Sequence, residues 1–160
     1  MLKITILCVG SIKESFYKAA LNEYAKRLTP YCKLEIVEVA DERLSENAPE
    51  AEKAIVLKKE AERILKKTDD KGALIALAID GTRYSSEGFA SLLEDYAVKG
   101  VSHIQFLIGG SVGLDEELIK RSDKRVSFSD MTFPHQLMRV ILTEQIFRAF
   151  KINNGEPYHK

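Results

Sequence analysis

Apolar positions along the chain fall into two rhythms, short continuous runs and stripes of helical spacing, and the two alternate. Lys3 to Val9 is an apolar run that stops at Gly10, which predicts a first strand. Ser11 and Glu14 then have capping-box spacing, and Phe16, Ala20, Tyr24 and Leu28 recur at helical spacing before the break at Thr29-Pro30-Tyr31. A helix is expected there. Leu34, Ile36, Val37 and Val39 read as a second strand, and the polar stretch 41–49, ending in Pro49, as a loop. From Glu50 to Lys67, Ala54, Leu57, Ala61, Ile64 and Leu65 share one face among charged side chains, the pattern of an amphipathic helix.

Ala73 to Ile79 has no polar member. Its short length and the flanking Gly72 and Asp80-Gly81 favour a strand over a helix, and the lack of alternation places it inside a parallel sheet covered on both faces. Ser85 or Ser86 can cap a helix that turns Phe89, Leu92, Leu93 and Tyr96 inward and ends near Gly100. Ile104 to Ile108 is a fourth strand closed by Gly109-Gly110, Asp115 to Ser122 a short helix, and Arg125 to Phe128 a short strand or extended segment. The last helix runs from Pro134, as a first-turn proline, to about Asn153. Its Leu137, Val140, Ile141, Ile146, Phe147 and Phe150 cover more than one stripe, so burial on several sides is expected, part of it against a second subunit. This alternation implies an α/β fold, a mainly parallel sheet with helices on both faces, in one domain spanning residues 1–160.

Composition narrows the partners. With 45% hydrophobic and 30% charged residues the chain has the means to build a core and no signature of disorder. Lys plus Arg and Asp plus Glu both number 24, so no uniform basic surface exists; phosphate contacts must come from a local patch or from a face built by two subunits. The apolar runs are too short to span a bilayer, and Met1-Leu2-Lys3-Ile4 lacks the features of a secretory signal, so a cytoplasmic setting without a membrane partner is expected. Cys8 and Cys32 have neither metal-ligand spacing nor a disulfide framework and read as free thiols.

In open parallel sheets, ligands bind beyond the carboxyl ends of the strands. Three exits have that position: Asp80-Gly81-Thr82, Gly109-Gly110-Ser111-Val112-Gly113, and Ser127 to Phe133. The glycines of the second either let backbone approach a ligand or merely permit a tight turn. No Gly-Lys-Ser/Thr follows them, and Gly10-Ser11-Ile12-Lys13 lacks the dinucleotide glycine series, so ATP hydrolysis and nicotinamide binding lose support. In the third exit, backbone amides suit adenine and Phe128 and Met131 offer apolar contact, although Ser129, Asp130 and Thr132 are also ordinary capping residues. His135 lies at a helix N-terminus, where the dipole disfavours its charged form, and reads as structural. Arg139 either anchors an anion or salt-bridges Asp130; Glu144 and Arg148 pair on the helix surface; His103 reads as a polar edge residue. The tail Gly155 to Lys160 is either frayed or functional, with Tyr158 able to stack on a base and Lys160 to meet phosphate. The histidines form no metal-ligand pattern with the cysteines, and no nucleophile elbow occurs.

Leu107 to Leu114, Ser127 to Val140, and Pro157-Tyr158-His159-Lys160, together with the opening Lys3 to Gly10, resemble a bacterial family, the ribosomal RNA large subunit methyltransferases H. These are small members of the SPOUT class, and the likeness covers essentially the whole chain. It implies a SPOUT-type fold with a C-terminal trefoil knot, against the general rarity of knots. It also implies S-adenosylmethionine as methyl donor and N3 of a pseudouridine in a 23S rRNA stem-loop as acceptor, within the assembled ribosome, with a homodimer as the acting form and no DNA partner. By that resemblance the cofactor pocket falls on Leu77, Gly109, Phe128, Ser129, Asp130, Met131, Thr132 and Phe133. Tyr158 and His159 are placed near the target base, Arg139 as an anchor for RNA or developing negative charge, and His159 as candidate proton acceptor. The competing readings are a methyltransferase of another RNA, a non-catalytic RNA- or ribosome-binding protein of the same fold, and a small-molecule hydrolase or transferase using Ser111 or His135.

Overall fold

The computed structural model describes residues 1–160. Strands β1 (Lys3–Val9), β2 (Lys33–Val39), β3 (Ala73–Arg83), β4 (His103–Ile108) and β5 (Lys124–Ser127) alternate with helices α1 (Ser15–Leu28), α2 (Glu50–Leu65), α3 (Ser86–Val98), α4 (Glu116–Arg121) and α5 (His135–Asn153). Every strand pair is parallel, in the order β2-β1-β4-β3-β5.

Side-chain alternation explains why β1 reads as a nearly continuous apolar run. Ile4, Ile6 and Cys8 of β1 join one core with Phe89 and Leu93 of α3 and Leu142, Ile146 and Phe147 of α5. Leu7 and Val9 join a second core with Ala61 and Ile64 of α2 and Leu118 and Ile119 of α4. Successive residues point to opposite faces. With helices on both faces, neither set meets water, so the parallel sheet with two helical layers agrees with the expectation from sequence. No helix is long and apolar enough to cross a membrane.

Several local expectations are corrected. The Ser11–Glu14 capping box does not form: α1 starts at Ser15, and Glu14 makes no side-chain cap. The loop is held instead by distant acceptors, since the Ile12 amide donates to Glu38 Oε2 (2.9 Å) and the Lys13 amide to Gln136 Oε1 (3.2 Å). Phe16 is exposed. On α2 the buried positions are Val56, Glu60, Ala61 and Ile64, while Ala54 faces solvent. Glu60 accepts the Glu42 amide on Oε2 (3.0 Å) and leaves Oε1 without a partner, and burial pushes its carboxyl pKa up. His103 is no edge residue. It opens the central strand β4, with Nε2 2.7 Å from Thr5 Oγ1 and Nδ1 3.0 Å from Asp69 Oδ2. That histidine is the main cause of the lowered Asp69 pKa.

Strand β3 does not stop at Ile79. Leu77 and Thr82 both register against Val126, so the residues between them bulge out of the ladder before pairing resumes. Gly81 is required where the bulge crosses β5, because a Cβ there would lie 2.8 Å from the Arg125 and Val126 backbone. β5 closes at Ser127, one residue before Phe128. Pro134 takes the N-cap of α5 rather than its first turn. From His135 to Ile152 no residue of α5 is fully exposed, even in a single chain, and α1 and α3 flank it.

Candidate active site

The three exits chosen from sequence meet. The β3 bulge, the turn after β4 and the segment after β5 enclose a cavity of about 390 Å³. Leu77, Ala78, Ile79 and Asp80 form one wall; Ile108, Gly109, Gly110, Val112, Gly113 and Leu114 form a second. Val126, Ser127, Phe128, Ser129, Met131, Thr132 and Phe133 form the third, with Ile119, His135 and Met138 closing it. The glycine turn and the binding surface, alternatives in sequence, are the same feature. Gly113 has φ +86° and donates its amide to Gly110 O (3.1 Å), and a Cβ on Gly109 would strike the Gly113 carbonyl at 2.4 Å. Only a glycine lets the chain close so tightly beside the cavity.

Seven of the eight expected pocket residues line this space: Leu77, Gly109, Phe128, Ser129, Met131, Thr132 and Phe133. Asp130 does not. Its carboxylate pairs with Arg83, and both groups are exposed. Ser129 shapes the loop locally, its Oγ accepting the Met131 amide (3.0 Å) and its carbonyl the Ser127 hydroxyl (3.1 Å). His135 lines the cavity, and its pKa lies below the ordinary histidine value because of burial first and the nearby Arg139 charge second. Both causes favour the neutral imidazole.

Arg139 is placed differently from either expectation. It is fully buried, Nη1 2.6 Å from Glu38 Oε2, with Nη2 donating to the carbonyls of Val9 (3.2 Å) and Gly10 (2.9 Å). It neither meets Asp130 nor reaches solvent, and its charge is directed to Glu38 inside the chain. What it does is tie the exit of β1 and the edge strand β2 to α5, one turn beyond His135.

The tail is ordered against its own chain. Tyr158 packs edge-on against Phe147 (4.9 Å between centroids), carries Arg148 over its face (4.8 Å) and donates its hydroxyl to Glu144 Oε1 (3.0 Å). Burial and that hydrogen bond raise its pKa, so the phenol stays protonated and acts as a donor. His159 has Nε2 2.7 Å from Glu87 Oε1 and Nδ1 3.1 Å from Arg148 Nη1. Glu144 and Arg148 pair as expected (2.6 Å), but partly buried and in service of the tail. Neither Tyr158 nor His159 lines the cavity of its own chain.

The family model described as "Predicted SPOUT methyltransferase" matches residues 2–159. The chain belongs to the SPOUT methyltransferase family. Among relatives of this SPOUT chain, the protein named "Ribosomal RNA large subunit methyltransferase H" from Bifidobacterium adolescentis is 55% identical over 99% of this chain and 100% of its own length. Proteins of the same name from Acetivibrio thermocellus and Clostridioides difficile are 51% and 53% identical over the same shares. A solved structure titled as a probable methylase family protein from Haemophilus influenzae Rd KW20 superposes with a TM-score of 0.58 at 14% identity, covering 98% of this chain and 70% of that one. That likeness concerns the fold alone.

Sequence reasoning missed several residues that shape the site of this SPOUT member. Ile119 and Met138 reach the cavity from helices, where their apolar character looked like ordinary core. Glu38 and Glu87 were unreadable, because their partners Arg139 and His159 lie 101 and 72 residues away.

Proposed function

We propose that the chain transfers a methyl group from S-adenosylmethionine to N3 of a pseudouridine in a 23S rRNA stem-loop, acting on the assembled ribosome. One observation carries this reading: three strand exits far apart in sequence build one apolar-walled cavity at the carboxyl edge of the sheet. Full-length identity above 50% to proteins named as ribosomal RNA methyltransferases supports it. Further elements of the reading are one domain over residues 1–160, a C-terminal trefoil knot, a cytoplasmic setting, and a homodimer. For the last, the support is a net charge of zero, which leaves a phosphate-binding face to be assembled from two copies, and a tail whose Tyr158 and His159 lie off the cavity of their own chain.

The residues present fit an adenosine-bearing cofactor. Gly109 keeps one wall free of side chain, Leu77, Val126 and Phe128 offer apolar surface to a flat ring, and the backbone of 128–133 supplies edge donors and acceptors. The neutral His135 adds no positive charge beside a sulfonium. When bound, the cofactor supplies an electrophilic methyl group whose departure leaves an uncharged thioether. An N3 that took this methyl group would have to give up its imide proton. Holding donor and acceptor in line contributes much of such an acceleration. In this reading Tyr158 lies near the target base; its single phenolic hydrogen is already given to Glu144 Oε1, and its ring is what it has to offer the base. His159 accepts the proton only if Arg148 releases Nδ1, since Glu87 takes the other ring nitrogen.

The test is to incubate ribosomes lacking the modification with the protein and labelled methyl donor, then map the labelled nucleotide. A single labelled pseudouridine is expected in 23S rRNA. Label elsewhere would point to another RNA, and cofactor binding without transfer to a non-catalytic ribosome-binding protein. An unchanged single-turnover rate in His159→Ala would end the proton-acceptor role.

A further inference from the structure

A second, smaller cavity of about 190 Å³ adjoins the first and shares Phe128 and Phe133 with it. Its other walls are Tyr84, Phe89 and Ile141, with Ser85, Ser86 and Gln145 as polar groups. Ligand pockets for drug-sized molecules run to about 300–1,000 Å³, so this volume suits a single ring and not a whole nucleotide. Four aromatic side chains around so small a space are what an unstacked base needs to replace its lost neighbours.

The polar groups are placed for an imide edge. Ser86 Oγ donates to Gln145 Oε1 (2.9 Å), which fixes the orientation of the amide. Gln145 Nε2 donates one hydrogen to Glu144 Oε2 (2.9 Å), leaving its second hydrogen without a protein acceptor. From Glu144 the bonds continue to Tyr158 and Arg148, from Arg148 to His159, and from His159 to Glu87, the chain neighbour of Ser86. The small cavity and the tail are thus joined by one hydrogen-bonded chain whose two ends, Ser86 and Glu87, are adjacent in the backbone, beside the cavity assigned to the methyl donor.

We propose that this second cavity receives the target pyrimidine, flipped out of its RNA, with the aromatic walls stacking the ring and the free Gln145 N–H donating to a carbonyl that flanks N3. This rests on the methyltransferase reading above and adds where the acceptor sits and what reads it. Neither Ser86 nor Gln145 lines the larger cavity, so the two sites can be separated by mutation.

Ser86→Phe fills the small cavity, and Gln145→Ala removes the reader without filling it. For each, three quantities are measured: S-adenosylmethionine affinity by calorimetry, ribosome co-sedimentation, and the single-turnover methylation rate with unmodified ribosomes in excess. Cofactor affinity and co-sedimentation are expected to stay within about twofold, while the rate falls about 100-fold in Ser86→Phe, the scale set by misplacing a reactant. A fall of about tenfold is expected in Gln145→Ala, the scale of one lost hydrogen bond. A rate within threefold of wild type in both variants overturns the inference. Lost cofactor affinity would assign the cavity to the methyl donor, and lost co-sedimentation would make it part of a docking face; either also overturns it. If Ser86→Phe does not fold, Gln145→Ala decides by the same criteria. Wild-type protein that binds the cofactor yet labels no nucleotide would sink the methyltransferase reading itself, a result distinct from all of these.

Discussion

Removing the exposed member of the Glu38–Arg139 pair should cost more than removing the buried one. The Arg139 side chain is 1% exposed and has a single counter-ion, Glu38, whose own side chain is 41% exposed. In Glu38→Ala the guanidinium stays behind in the core with only the carbonyls of Val9 and Gly10, and the Ile12 amide loses its acceptor. Stranding a buried charge costs about 3–5 kcal/mol, and water entering on the open Glu38 side lowers the expected figure to about 2–3 kcal/mol. For a chain of this size that is a fall of about 5–10 °C in Tm. Arg139→Met removes the charge itself; Glu38, already part-exposed, keeps the Ile12 amide, and the remaining loss is hydrogen bonds to two carbonyls, about 1–2 kcal/mol. The double variant should then be more stable than Glu38→Ala, with a coupling of about 1–3 kcal/mol. Urea unfolding of all four proteins at one protein concentration measures the cycle, the concentration held fixed because association would shift the midpoint. If Glu38→Ala proves no worse than Arg139→Met, or the two losses simply add, the account of Arg139 as a buried structural cation is refuted. Because the pair braces α5 one turn beyond His135, Glu38→Ala should also weaken S-adenosylmethionine binding.

Three further outcomes are expected. Burial pushes the Cys8 and Cys32 thiols up to about 12, so neither should react with a disulfide reagent at pH 8 until the chain is unfolded, and rapid reaction of the native protein would contradict the packing. Gly109→Ala would drive its Cβ into the Gly113 carbonyl, and loss of about 100-fold or more in cofactor affinity by calorimetry is expected, with the far-UV spectrum unchanged; wild-type affinity would show that the turn is not required. The lowered His135 pKa means that the unfolded chain binds this proton more readily than the folded one. Its contribution is complete above the ordinary histidine value and is lost as pH falls through and below it, so the urea midpoint should decline less between pH 7 and 5 in His135→Gln than in wild type.

Sequence and structure agree where a signal is local and part where it is shared between distant residues. The run Ala73 to Ile79 announced an interior strand because Ala73, Ile75 and Ala76 are buried between two helical layers, while Ile79, where the chain bulges out, is exposed. The three exits were legible for the same reason: glycine and polar residues at strand ends mark where chain leaves the sheet, and parallel strands put all such exits on one edge. Their fusion into one cavity needed the β3 bulge, whose only local trace is Gly81, and that glycine reads equally well as a terminator. Arg139 misled because an arginine on an apolar helix looks like an anchor for a ligand, and its counter-ion belongs to β2, 101 residues earlier. His103 misled in the opposite direction, since strand order alone places it at the centre of the sheet. The tail is the sharpest case. Tyr158 and His159 carried a family signature and no hint of what holds them, whereas the structure fastens them to Glu144, Arg148 and Glu87 from two helices. A residue type that chemistry requires can be recognised in a sequence, but the group that orients it is chosen by topology. Sequence therefore exposes the residues proposed to react more readily than those that hold them, and experiments confined to the first kind would leave Glu38, Glu87 and Gln145 untouched.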